Sequence, residues 1–192
     1  MSARTASQFF AQAPDRVLRL LPQSTRLDML DYFNYGSSKA SKNYFEGEAR
    51  VRSLSDTTVV FDMDNSVNMA MTVIPMKKDT IIALVTTLEL PVPDSSIKFY
   101  DTDWNQLGRA PLAWPGYDEW LTPEGKKNAA EVRMFLPFVP VKAAFSGDAS
   151  RLTLSNGASS YLSAEDFERL RPWLREEIVY DINNGKFVRR KP

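Results

Sequence analysis

The sequence predicts an α+β fold: an antiparallel β-sheet, built as a meander with hairpins, with helices from the N-terminal and C-terminal ends packed on it. Three observations predict it. Residues 59–104 read as consecutive strands joined by turns far shorter than the dozen or more residues of a parallel crossover. Two Asn-Gly pairs, Asn156-Gly157 and Asn184-Gly185, stand between β-prone runs. Helical spacing with capping residues lies outside the 59–104 block, before it at the N-terminal end and after it at Thr122 and Ser163. The 192 residues suit a single α+β domain spanning 1–192. A division into two halves stays open: 1–108 with a helix and the central meander, and 109–192 with an aromatic segment, hairpins and a helix.

Taken in order, Thr5 to Ala13 reads as a short helix anchored by Phe9 and Phe10. Pro14 and Asp15 suit the first turn of a second helical piece, which Pro22 ends. Ser24 or Thr25 caps the next helix, with Thr25-x-x-Asp28 resembling a capping box and Gly36 placed to close it. Tyr44 to Leu54 reads as a strand paired with Thr57 to Met63 through Ser55-Asp56. In the next strand Val67, Met69, Met71 and Val73 form one apolar face. Ile81 to Leu88 is apolar almost throughout, as in a strand covered on both faces. Trp104 to Pro123 loses all periodicity. Thr122-Pro123-Glu124 then carries a cap, a proline at the first helical position and an acid at the positive end of the dipole. Pro137 and Pro140 make 135–145 an edge strand or cover segment. Each Asn-Gly pair predicts a type I′ hairpin, the first returning through Ala158 to Leu162. Between the hairpins, Ser163 caps a helix that Pro172 interrupts.

Composition excludes more than it suggests. The chain has no histidine and no cysteine. A Ser-His-Asp triad, thiolate nucleophiles, disulfides and iron–sulfur clusters are therefore impossible, and a zinc site would depend on carboxylates alone. Lysine plus arginine and aspartate plus glutamate are equal at 24 each, so no field draws in nucleic acid. No run of apolar residues is long enough to span a bilayer as a helix. No glycine-rich phosphate loop occurs, and no cofactor is expected.

Three patterns could carry chemistry. Asp101-x-Asp103-x-Asn105 opens like a calcium loop, but Gln106 stands where the sharp turn needs glycine and Leu112 where the closing glutamate belongs. Turn-capping aspartates explain it better. Ser95-Ser96-Ile97-Lys98 fits S-x-x-K, yet on a strand residues three apart face opposite ways. A carboxylate pair among Asp101, Asp103, Glu119 and Glu124 would serve a glycan hydrolase if the structure brought two together at the floor of a cleft. The aromatic segment, with Trp104, Trp114, Tyr117 and Trp120, is the candidate surface for a ligand or partner. Its alternative is to fill space over an open sheet face.

Leu20-Leu21-Pro22, Arg26-Leu27-Asp28-Met29-Leu30-Asp31-Tyr32-Phe33, Leu54-Ser55-Asp56, Val85-Thr86-Thr87, Pro91-Val92-Pro93-Asp94-Ser95 and Tyr100-Asp101-Thr102-Asp103-Trp104 together resemble an uncharacterised family of small exported proteins from Bacteroidales gut and oral bacteria. The similarity runs from about Phe9 to Phe187. The family has no assigned activity, so the resemblance carries over no catalytic residue. It implies export to the cell envelope. Met1 to Gln8 lacks the apolar core of a signal peptide, so the extracytoplasmic expectation assumes that such a peptide has been removed. The expectation is a non-enzymatic binding or structural protein of the envelope, with an unknown protein or envelope component as partner. The alternatives are the carboxylate-dependent glycan hydrolase and a carrier of a peptide or small apolar ligand, whose cavity Met69 and Met71 would line.

Overall fold

Alternation along two central strands divides the molecule into layers. The structure is a computed structural model that describes residues 4–77 and 79–191. Strands β1 (Ser41–Lys42), β2 (Glu48–Leu54), β3 (Thr58–Asp62), β4 (Val67–Pro75), β5 (Thr80–Leu88) and β6 (Asp94–Tyr100) form one antiparallel meander in chain order. Strands β7 (Val141–Phe145), β8 (Arg151–Asn156), β9 (Glu177–Asn183) and β10 (Lys186–Arg189) form a second antiparallel sheet in the order β10-β9-β8-β7. The fold is α+β, as the short turns predict.

On β4 and β5, Met69, Met71, Val73, Ile82 and Leu84 point to one side. There they meet Phe9 and Phe10 of helix α1 (Ala6–Gln12) and Met29 and Leu30 of helix α2 (Gln23–Asn34). Ile74, Ile81, Ala83 and Val85 point to the other side and pack on Val141, Leu152, Leu154, Ile178 and Tyr180 of the four-stranded sheet. This explains the almost unbroken apolar run of β5, which is covered on both faces. It also means that the two sheets share one core.

The caps behave as local chemistry requires. Thr5 forms a capping box with Gln8 at the start of α1. Gly36, with φ +64°, closes α2 in a Schellman motif: Gly36 N–H donates to the Phe33 carbonyl and Ser37 N–H to that of Tyr32. Thr25 does not cap α2. The helix starts earlier, with Pro22 at its N-cap, and the Thr25 hydroxyl turns inward to donate to the Lys42 carbonyl at 3.3 Å. The strand expected from Tyr44 begins only at Glu48, because Asn43 Oδ1 accepts from Phe45 and Gly47 N–H and folds 43–47 into a turn.

The two Asn-Gly pairs diverge. Asn184 (φ +50°) and Gly185 (φ +74°) form the expected hairpin turn between β9 and β10. Asn156-Gly157 does not. Gly157 has φ −90° and donates its N–H to the Pro140 carbonyl, while Asn156 Oδ1 accepts from Ala158 N–H at 2.7 Å. The chain therefore leaves β8 into helix α5 (Ala158–Tyr161) and helix α6 (Ala164–Leu170) before returning as β9. Helix α3 (Pro123–Lys127) leads into helix α4 (Ala129–Phe135), which joins α5 and α6 around a third cluster containing Leu121, Val132, Leu136, Leu170 and Leu174. This cluster lies where β8 ends and β9 begins.

A cleft beside the aromatic segment

The four aromatic residues of the predicted surface go to different places. Trp104 is buried against Phe9 and Tyr100, with ring centroids 6.4 and 5.7 Å away, in the helix-facing core. Its backbone is left-handed, at φ +64°. Trp120 is 1% exposed, in the core between the sheets. Tyr117 lies half-buried, its hydroxyl donating to the Leu136 carbonyl at 2.7 Å and its ring under the Arg133 guanidinium. Burial raises its phenol pKa and Arg133 opposes the rise. Only Trp114 of the four lies largely open, at 41% exposure.

Of the two aspartates at the head of this segment, Asp101 serves the backbone and Asp103 lies exposed. Asp101 Oδ1 accepts from Asp103 and Asn105 N–H at 2.9 and 2.8 Å, and Oδ2 accepts from Asn105 Nδ2 at 3.0 Å. Asn105 thus presents a donor where a calcium ligand would need an oxygen. Those hydrogen bonds, the Asn105 side chain first, hold the Asp101 carboxyl below its ordinary pKa. Its stabilising effect is therefore fully present above the ordinary carboxylate range and is lost as pH falls through the depressed folded value. A carboxyl-resolved NMR titration is expected to place Asp101 below an exposed aspartate, and Asn105→Ala to move it back up. An unshifted Asp101 in the wild-type chain would refute the turn-cap role.

The other candidates are likewise engaged. Glu119 pairs with Arg189 at 3.1 Å and Glu124 with Lys127 at 2.8 Å. Ser95 is buried, sharing a hydrogen bond with Thr87 Oγ1 at 2.8 Å and accepting from Ala143 N–H at 3.0 Å, while Lys98 is exposed. Met69 and Met71 sit in the filled core under α1 and α2. Among the described residues no group of three or more acidic side chains could hold a metal ion, and no helix is long and apolar enough to cross a membrane.

What the sequence reading missed is a cleft of ≈ 420 Å³ lined by Asn156, Ser159, Phe167, Arg171, Leu174, Arg175 and Glu176. The buried end of the aromatic segment is tied to residues 173–175, which carry part of this lining. Leu121 bridges to Leu174, Thr122 N–H donates to the Trp173 carbonyl at 2.9 Å, and Arg175 N–H donates to the Trp120 carbonyl at 2.7 Å. Asn156, freed from the expected hairpin, donates Nδ2 to the Arg175 carbonyl at 3.0 Å. Arg171 reaches Glu176 at 3.4 Å across the rim. Gly125 lets α3 close against Trp173, since a Cβ there would stand 2.1 Å from the Trp173 carbonyl oxygen. The only trace in the sequence is the charged run around Pro172, Arg169 to Glu177, which also suits a solvated helix end. A larger groove of ≈ 540 Å³ beside α1 has four threonines among its nine lining residues, and the cation among them, Arg4, already stacks on Phe9 at 4.3 Å.

Comparison with known proteins adds fold and family. Residues 1–187 match the sequence profile of a family described as "Protein of unknown function (DUF3256)". The chain is similar to a solved domain of an uncharacterized protein from Porphyromonas gingivalis W83, a member of the Bacteroidales, with TM-score 0.77 and 20% identity over 97% of this chain and 98% of that one. At that identity the likeness establishes the fold. No curated protein matches.

Proposed function

The chain belongs to the DUF3256 family of proteins of unknown function, and on that premise we propose that it is a non-enzymatic binding protein of the bacterial cell envelope that holds a small molecule in the Arg171–Arg175 cleft. One observation carries the reading. The cleft is lined by side chains that hold ligands, without a free acid and base to transform them. Guanidinium groups do not exchange protons at physiological pH, Asn156 is engaged at both ends of its amide, and the carboxylate of Glu176 is exposed and paired with Arg171. The volume falls within the range of small-molecule sites. Phe167 and Leu174 supply the apolar wall and the arginines the orientation.

The envelope location is supported by the resemblance of the Arg26–Phe33 and Pro91–Ser95 stretches to exported Bacteroidales proteins. The whole chain acts as one unit, since its sheets share a core.

Fractionation of the native host followed by native mass spectrometry tests both parts. The protein is expected in the envelope fraction with a retained small molecule, which a Ser159→Trp variant at the cleft mouth no longer carries. A cytoplasmic protein would overturn the location. A variant that keeps the same bound mass would overturn the site.

A further inference from the structure

We infer that the ligand of this cleft carries an oxyanion, a carboxylate or phosphate, held by Arg175 and joined to an apolar body that lies against Phe167 and Leu174. The inference rests on the reading of the cleft as a ligand site and names the chemical class.

Arg175 is the anomaly among its neighbours. Arg169 pairs with Glu131 and Asp166, Arg171 with Glu168 and Glu176, Arg189 with Glu119, and Arg190 with Asp181. Among the described residues, Arg175 has no carboxylate within ion-pairing distance, and its Nε is a buried donor without an acceptor. Its two terminal nitrogens also make no hydrogen bond among the described residues and are not closed off from solvent, so an acceptor that arrives from outside can reach them at the cleft. The two nitrogens on one edge of a guanidinium match the two oxygens of a carboxylate or phosphate.

The site is also held ready. The backbone of Arg175 is fixed on both sides, by its N–H to Trp120 and by Asn156 to its carbonyl, so its side chain leaves from a rigid point. Ser159 stands exposed on α5 at the same cleft, and its hydroxyl has no hydrogen-bond partner among the described residues. The Arg171–Glu176 pair on the rim is exposed, and such pairs break at little cost, which leaves a second guanidinium to close on the anion. The opposite side is apolar: Leu174 is buried and Phe167 half-buried. An inorganic ion would leave that wall without a counterpart.

Calorimetric titration of the full chain at low ionic strength with phenylacetate, phenyl phosphate and the neutral phenylacetamide tests the class. At least one anionic probe is expected to saturate a single site about tenfold more tightly than phenylacetamide, and the better of the two identifies carboxylate or phosphate as the natural group. Arg175→Gln is expected to remove that preference. Ser159→Phe, on an exposed helix position, is expected to abolish binding of every probe, and it serves where Arg175→Gln does not fold. If phenylacetamide binds as tightly as the anions, the oxyanion is wrong while the cleft stands. If no probe binds, or if Ser159→Phe binds as the wild type does, both the inference and the site are wrong.

Discussion

Replacing Arg26 with methionine is expected to lower the unfolding free energy by about 3 kcal/mol, read from urea denaturation with an unchanged slope. Arg26 is 1% exposed, and its guanidinium donates to the carbonyls of Leu21 and Ala13 and, at 3.4 Å, of Ala11. These carbonyls lie at the end of α1 and in the turn before α2, where no backbone donor replaces it. Methionine keeps most of the stem volume, so the loss isolates acceptors stranded in the core. Asp15 lies 3.6 Å from the guanidinium but is 68% exposed, and Asp15→Asn is expected to change stability by less than about 1 kcal/mol. Burial lowers the pKa of Arg26 and Asp15 opposes that, so the carbonyl cage keeps the charge tolerable. Arg26→Met with a stability within about 1 kcal/mol of the wild type would show that the cage does not hold α1 to α2.

The second large effect separates two tryptophans of the same segment. Trp120→Ala is expected to cost about 3–5 kcal/mol, because it removes a large, fully buried side chain from the core the two sheets share. Trp114→Ala is expected to stay within about 0.5 kcal/mol, as surface substitutions do. Thermal and urea unfolding of the two variants side by side decides the matter. Equal losses would contradict the placement of Trp120 between the sheets. A binding defect in Trp120→Ala is therefore expected to follow from lost structure.

Much of the scaffold is legible because it is local. The strand turns, the Gly36 closure, the Thr122 and Ser163 caps and the Asn184-Gly185 hairpin each depend on a few adjacent residues. The layering of β4 and β5 is legible from alternation. The failures involve partners distant in sequence. The same dipeptide makes a turn at 184–185 and a strand-to-helix exit at 156–157, because Pro140 and Arg175 supply hydrogen bonds to the latter that no local pattern announces. No local pattern marks Arg26 as buried, because the carbonyls of Ala13 and Leu21 that surround it come from outside its helix. Trp104 to Trp120 reads as one aromatic surface, yet the chain distributes its rings between two cores and the solvent. The cleft is the least legible feature of all, since its lining comes from α5, α6, the end of β8 and the approach to β9.

The core shared by the sheets also governs the nascent chain. The strands of the six-stranded sheet are synthesised first, with Ile74, Ala83, Val85 and Phe99 on a face whose cover, Val141 to Tyr180, has not yet been made. Until about the last strand emerges, a finished-looking meander displays a wet apolar sheet, the kind of surface that associates with copies of itself. The first half of the chain must therefore be kept from closing on a wrong partner until the second half is made. The same arrangement that hides Trp120 makes the order of synthesis matter.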